Sequence, residues 1–163
     1  MQHRRPSMLL AATAALLVFA TASSASPATM PAEAGDQVDI VLTEGDSRCV
    51  ATGISVDAAP PARVSIDADR VDFDCKGATS FKFGSDAAFD FDDAKGTATA
   101  ERVRIAATKF GITCTYEAST VTLEQDGTAR DYAGGPIKAR KVRGAFLCPG
   151  SVNLDSATIA FHQ

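Results

Sequence analysis

The chain has 163 residues, 45% of them hydrophobic, and its 16 Lys and Arg against 20 Asp and Glu leave a formal net charge of −4. That length suits one domain with a sizeable core. The acidic balance argues against nucleic-acid binding, which needs clustered Lys and Arg to neutralise phosphates.

Met1–Ser7 carries Arg4 and Arg5 without an acid, and Met8–Ala20 is an unbroken run of apolar and small residues. The run is too short to span a bilayer, which takes about 20 apolar residues. A basic start, a short apolar stretch and small residues together predict a secretory signal peptide over residues 1–25. Cleavage after Ala22 or after Ala25 fits the small-x-small rule. No charged stop-transfer flank follows, which argues against a membrane anchor. Pro6-Ser7 after Arg4-Arg5 favours the general export route over the twin-arginine one. The first cysteine after the run is Cys49, so none stands at the cleavage site to carry a lipid, and the C-terminal SATIAFHQ has no apolar tail. The expectation is a mature chain that is secreted, or periplasmic or otherwise extracytoplasmic, with no membrane insertion after signal removal. Loss of Arg4 and Arg5 with the first 25 residues leaves 138 residues at −6.

Residues 26–36 are rich in Pro, Ala and Ser and predict a disordered leader. Residues 37–163 then read as a single β domain. Gln37–Leu42 opens with alternation, and Val50, Thr52, Ile54 and Val56 alternate again. Asp57-Ala-Ala-Pro-Pro61 is a turn. Phe81-Lys-Phe83 and Phe89-Asp-Phe91 flank Gly84-Ser-Asp86, as the strands of a hairpin would. Val121-Thr-Leu123 precedes a turn at Gln125-Asp-Gly127, Ala133–Pro136 is a further break, and Ala145–Leu147 and Ala157–Phe161 close the chain. No segment after the signal peptide sustains a 3.6-residue apolar period.

Val64–Cys75 aligns without gaps on Val103–Cys114, 39 residues later. Val, Ile, Ala and Cys are identical, Arg70 matches Lys109, and Val71 and Phe73 match Phe110 and Ile112. The apolar parity switches midway in both copies. A switch of face needs a bulge or tight turn, expected at Asp69-Arg70 and Thr108-Lys109. Antiparallel strands, short turns and a repeat predict an all-β fold, an antiparallel β-sandwich or flattened barrel, built from two repeated halves.

Cys49, Cys75, Cys114 and Cys148 are an even set in an exported chain and predict two disulfides. Loop-closure entropy of about 3.5–4 kcal/mol for any of the plausible loops does not choose among the three connectivities. The repeat does, because it makes Cys75 and Cys114 equivalent and gives each half one bridge, Cys49–Cys75 and Cys114–Cys148. Phe146 stands two residues before Cys148, as Phe73 and Ile112 stand before their cysteines. Cys49 has the parity opposite to Val50, Ile54 and Val56, which places it at a strand end. Zinc is disfavoured, since there is no Cys-x-x-Cys and His162 is the only histidine after the signal peptide.

Catalysis finds little support. His162 sits near the end, expected to fray, and offers no rigid base for a nucleophile. No Gly-x-Ser-x-Gly, phosphate loop or His-Glu-x-x-His occurs. The expectation is a non-enzyme without a cofactor. Acids cluster at Asp67, Asp69, Asp72, Asp74, Asp86, Asp90, Asp92 and Asp93. Their alternation with apolar residues reads as a solvated sheet face. Calcium, which takes six to eight oxygens, is the sharper reading, but no EF-hand-like loop is present. Lys138, Arg140, Lys141 and Arg143 form a basic stretch. It fits a patch for an anionic envelope polymer or protein partner, a protease-inhibitor loop over 134–143, or cross-strand pairing with the acidic face. The absence of Trp, with only Tyr116 and Tyr132 as tyrosines, weakens a sugar-stacking role.

Gly111–Ala118 with its Thr-Cys-Thr-Tyr, and Phe146–Gly150 with its Leu-Cys-Pro followed by Ser156-Ala-Thr158, resemble small secreted disulfide-bonded β proteins of high-GC Gram-positive bacteria. The resemblance covers residues 100–163 and implies export and disulfide bonding without a defined activity. Val64–Phe73 and Ala100–Ile105 resemble the Ile-x-Ala-Asp-x-Val rungs of periplasmic lipopolysaccharide-bridge proteins, although the cysteines depart from that pattern.

Overall fold

The computed structural model describes residues 36–127 and 130–162, so the expected signal peptide, and all of the expected leader but Asp36, lie outside the described residues. Alternating apolar residues produce strands throughout. They are β1 (Gln37–Glu44), β2 (Ser47–Ser55), β3 (Val64–Ile66), β4 (Asp74–Lys76), β5 (Thr79–Phe83) and β6 (Ala87–Asp92), followed by β7 (Thr97–Lys109), β8 (Ile112–Gln125), β9 (Asp131–Gly134), β10 (Ile137–Gly144), β11 (Ser151–Leu154) and β12 (Ser156–His162). A 3₁₀ turn, Ala68–Arg70, lies between β3 and β4. The strands form an open antiparallel sheet in the order β3-β6-β7-β8-β9-β12-β1-β2-β4, with β5 on β7, β10 on β8 and β11 on β10. It folds over itself as a sandwich, so the all-β expectation holds.

The core lies between the layers. Val38, Ile40 and Leu42 of β1 face inward at every second residue, beside Ile159 of the neighbouring β12, and share one core with Ile105, Tyr116 and Leu123. Each such aliphatic side chain contributes about 1.5–3 kcal/mol on burial. A second focus is aromatic: the Phe91 ring meets Tyr132 at 4.9 Å and Phe161 at 5.5 Å, both edge-on.

β7 and β8 stay in one register from Thr97↔Glu124 to Lys109↔Ile112. Their buried parity nevertheless switches at the same level in both strands. Ala98 and Ala100 give way to Ile105 and Ala107, and Cys114, Tyr116 and Ala118 to Val121 and Leu123. Glu101, Arg102, Ser119 and Thr120 are all exposed at the switch, where Thr120 has φ 58°. The kink lets one hairpin serve two neighbourhoods, with β6 and β9 flanking one half and β5 and β10 the other.

Several local expectations are corrected by this topology. Phe81–Phe83 and Phe89–Phe91 are strands but not a hairpin. β5 and β6 lie end to end along β7, with the Gly84 amide donating to the Arg104 carbonyl at 2.9 Å between them. The two aligned copies also differ. In the first, the parity switch falls on the 3₁₀ turn, β3 pairs with β6, and β4 pairs with β2. In the second it falls on the β7–β8 turn, where Phe110 points into solvent instead of the core. The copies are therefore similar stretches and not equivalent halves. The same two stretches do not form matching rungs either, since Ala100–Ile105 straddles the kink. Cys49 is not at a strand end: it is fully buried in mid-β2 between Ser47 and Ala51, while Val50 is half-buried and Thr52 exposed. A register shift opposite Val38–Ile40 moves β2 back to inward Ile54.

Both bridges have the expected connectivity, Cys49–Cys75 and Cys114–Cys148. Cys49 and Cys75 are direct cross-strand partners. Gly144, paired with Cys114, leaves room for the second bridge, because a Cβ there would lie 2.6 Å from the Cys148 Sγ.

Candidate functional site

The segment expected as a basic loop is the strand β10. β11 pairs with it over Ile137–Arg140 and β8 over Arg140–Gly144. An inhibitor loop must offer a free extended backbone to a protease, whereas this backbone is held in the sheet by β11 over its first half and by β8 over its second. The strand is not paired with the acid-rich strands either, which corrects the cross-strand reading.

Ala139 is fully buried, so alternation sends Lys138 and Arg140 to the outer face. A register shift lies between Lys141 and Arg143. There Lys141 turns aside, its Nζ donating to the Cys148 carbonyl at 3.1 Å, while Val142 and Arg143 stay exposed. The four expected residues thus divide: two on the open face, one tied to the bridge loop, one at the strand end.

The same layer gathers cations that the sequence reading missed. Lys82 projects from β5 between buried Phe81 and half-buried Phe83, and Arg102 and Arg104 flank half-buried Val103 on β7. Lys109 ends β7. Arg104, Glu117 and Arg140 form a cross-strand row over β7, β8 and β10. Glu117 accepts from the Arg104 Nε at 2.7 Å and lies 3.5 Å from the Arg102 Nε. Over β5, β10, β11 and residues 102–109 and 112–118 there are eight Lys and Arg and one acid, Glu117; Lys82, Arg102, Arg104, Lys138 and Arg140 share its outer face, and Lys109, Lys141 and Arg143 lie toward the end of the layer. Half of the 16 cations of an acidic chain therefore sit on one layer. The readable signal was the spacing Arg102-x-Arg104 and Lys138-x-Arg140 with an apolar residue between.

The acids are spent locally. Asp67 accepts the Asp69 amide at 2.9 Å, Asp86 accepts the Ala68 amide at 2.9 Å, and Asp90 pairs with Arg63 at 2.9 Å. Lys95, 2.6 Å from Asp92, holds that carboxyl below its ordinary range and is itself raised by it. Among the described residues no group of three or more His, Cys, Asp or Glu is placed to hold a metal ion. Asp72 and Asp74 are exposed, as their alternation predicts. His162 ends β12 in register with Gln37 and contacts Asp39 at 3.0 Å, and Asp39 also accepts the Gly53 amide, so the pair laces β12, β1 and β2.

The enclosed space in the core is about 40 Å³, lined by Ile40, Leu42, Ile105, Leu123 and Ile159 among others. Small-molecule sites run about 300–1,000 Å³, so this is a dry packing void. An open depression of about 490 Å³ is bordered by Asp36, Arg130, Phe161 and His162. No helix among the described residues is long and apolar enough to cross a membrane.

No protein family, curated protein or solved structure matches the chain.

Proposed function

We propose that this protein is an exported, non-enzymatic β-sandwich module that binds an anionic component of the cell envelope through its β5–β7–β8–β10 face. The observation that carries the reading is the segregation of Lys82, Arg102, Arg104, Lys138 and Arg140 on the outer face of that layer against one acid, Glu117, with three more cations toward its end. Like charges on adjacent strands destabilise a sheet, so a face of this sign invites an anionic partner. Export is supported by the signal-like residues 1–25 and by two disulfides, which persist in oxidising compartments. The likeness to small secreted β proteins agrees with it.

Titration of the oxidised protein with soluble poly(glycerol phosphate) tests the proposal. Binding should weaken as salt rises, because the contacts are exposed charges. Replacing Lys82, Lys138 and Arg140 together by Gln should weaken it roughly tenfold, three exposed charges at about 0.5 kcal/mol each. A triple variant that binds like the parent, or no binding at low salt, would refute the proposal.

A further inference from the structure

Four large hydrophobic side chains are exposed among the described residues: Phe110 at 86%, Phe146 at 91%, Leu147 at 61% and Val142 at 50%. All four lie within a few residues of a cysteine of the Cys114–Cys148 bridge. Phe110 occupies the β7–β8 turn, four residues before Cys114. Phe146 and Leu147 immediately precede Cys148, in a turn closed by the Cys148 amide donating to the Ala145 carbonyl at 3.0 Å. Val142 is beside Arg143, which pairs with Thr115 one residue from Cys114. β10 runs antiparallel to β8, so leaving β10 at Gly144 carries the chain toward the Phe110 turn. The two turns therefore project from the same end.

Cations border these side chains. Lys109 Nζ lies 5.9 Å from the centre of the Phe110 ring. Arg143 is exposed, and Lys141 is fixed on the Cys148 carbonyl. The Phe110 backbone itself is held at φ 51°. A bulky residue rarely adopts that conformation, and such outliers concentrate at functional positions.

We infer that this end of the sandwich is a docking edge for an anionic lipid bilayer: Phe110, Phe146 and Leu147 enter the boundary between headgroups and acyl chains, and Lys109 and Arg143 meet the lipid phosphates. The inference rests on the proposed export, and it is independent of the polymer partner of the basic face. Charge complementarity and shape favour this occupant. Interfacial anchoring needs a few apolar side chains at shallow depth, with Lys or Arg level with the phosphates. A stable protein partner needs a continuous patch of about 800 Å² on each side, whereas here the apolar groups stand on two separate projecting turns. The bridge ties the Phe146–Leu147 turn to β8, the strand that leaves the Phe110 turn. Nothing spans the membrane in this arrangement.

Vesicle flotation tests it with the oxidised protein, using phosphatidylglycerol–phosphatidylcholine vesicles and pure phosphatidylcholine vesicles. The protein should float with the anionic vesicles only, and less so at high salt. The chain contains no Trp, so Phe110→Trp introduces a single reporter. Its emission should shift to the blue on anionic vesicles and be quenched by brominated acyl chains. Phe110→Asn combined with Phe146→Ser and Leu147→Ser should weaken vesicle binding about tenfold or more, while poly(glycerol phosphate) binding stays at the parent value. Loss of the polymer arm alone would remove the basic-face reading and leave the docking edge standing. Absence of vesicle binding, a reporter that stays unshifted on bound vesicles, or tip variants that abolish self-association without changing flotation would each overturn the inference.

Discussion

Replacing Phe110 by Asn should make the fold more stable, although it removes an aromatic ring. Phe110 and Gly111 form a two-residue turn between paired Lys109 and Ile112, with φ of 51° and 77°. Positive φ at both central positions is the hairpin turn that Asn-Gly favours. A side chain other than Gly, Asn or Asp in this conformation costs about 1–2 kcal/mol. Little burial is lost, because Phe110 is 86% exposed. The Lys109 contact with the ring offsets about 0.5 kcal/mol at an exposed site. The balance is a gain of about 1 kcal/mol, or about 4 °C in Tm for a domain of this size. Urea titration of the oxidised proteins measures it, as a higher midpoint at unchanged slope. Phe110→Ala keeps the backbone penalty and should show no gain. A midpoint for Phe110→Asn equal to or below the parent's would mean that the ring packs within the fold or that the turn is unstrained. Either result would remove the strain argument.

Three further outcomes follow from the geometry. Replacing both members of a bridge by Ser releases a closure of 34 residues for Cys114–Cys148 or 26 for Cys49–Cys75. Each should cost about 3.5–4 kcal/mol by loop-closure entropy, and urea midpoints that move by far less would refute the entropic account. Glu117→Gln should cost less than about 1 kcal/mol in stability, since its arginine partners are largely exposed, yet it should tighten poly(glycerol phosphate) binding; weaker binding would place Glu117 outside the face. Burial raises Tyr116 and Tyr132 above the ordinary phenol range, with further upward pushes from Glu44 and Asp93 respectively. The stabilising contribution is therefore full below about pH 10, where the unfolded phenols begin to ionise, and is lost as pH rises toward the folded values. Tyr132→Phe should flatten the loss of stability above pH 10, and an unchanged alkaline profile would count against the assignment.

Legibility tracked the range of each interaction. Strand existence was readable because alternation is local, as at Val38, Ile40 and Leu42. Pairing was not, because nothing in Phe81–Phe91 says that Gly84-Ser-Asp86 interrupts one long strand along β7 instead of reversing it. Cys49 misled for a related reason: β2 shifts register, so the parity of Ile54 and Val56 does not extend back to Val50. The disulfide pairing came out correctly from a repeat whose copies take different structures, so similar cysteine surroundings sufficed without structural equivalence. At the site, Lys138 and Arg140 were visible as a run, whereas Lys82, Arg102 and Arg104 become neighbours of β10 only through the layer order β5-β7-β8-β10. The exposure of Phe110 was hidden because a Phe in an apolar pattern reads as core until its turn is known.

Net charge is a poor guide to this surface. Asp67, Asp86 and Asp92 serve turns and local pairs, and the outer face around Lys82, Arg104 and Arg140 carries one acid, Glu117. A sequence shaped by folding alone would place an acid opposite Lys82, which faces Ala106, use Asn at position 110, and cover Phe146. Three separate local rules are broken within one layer and its tip, and Thr120, at φ 58° in the kink of β8, is a second positive-φ exception. Sequences that fold well keep their local and global preferences consistent except where function intervenes. The clustering of the exceptions, more than any one of them, supports the binding role proposed for this side of the molecule.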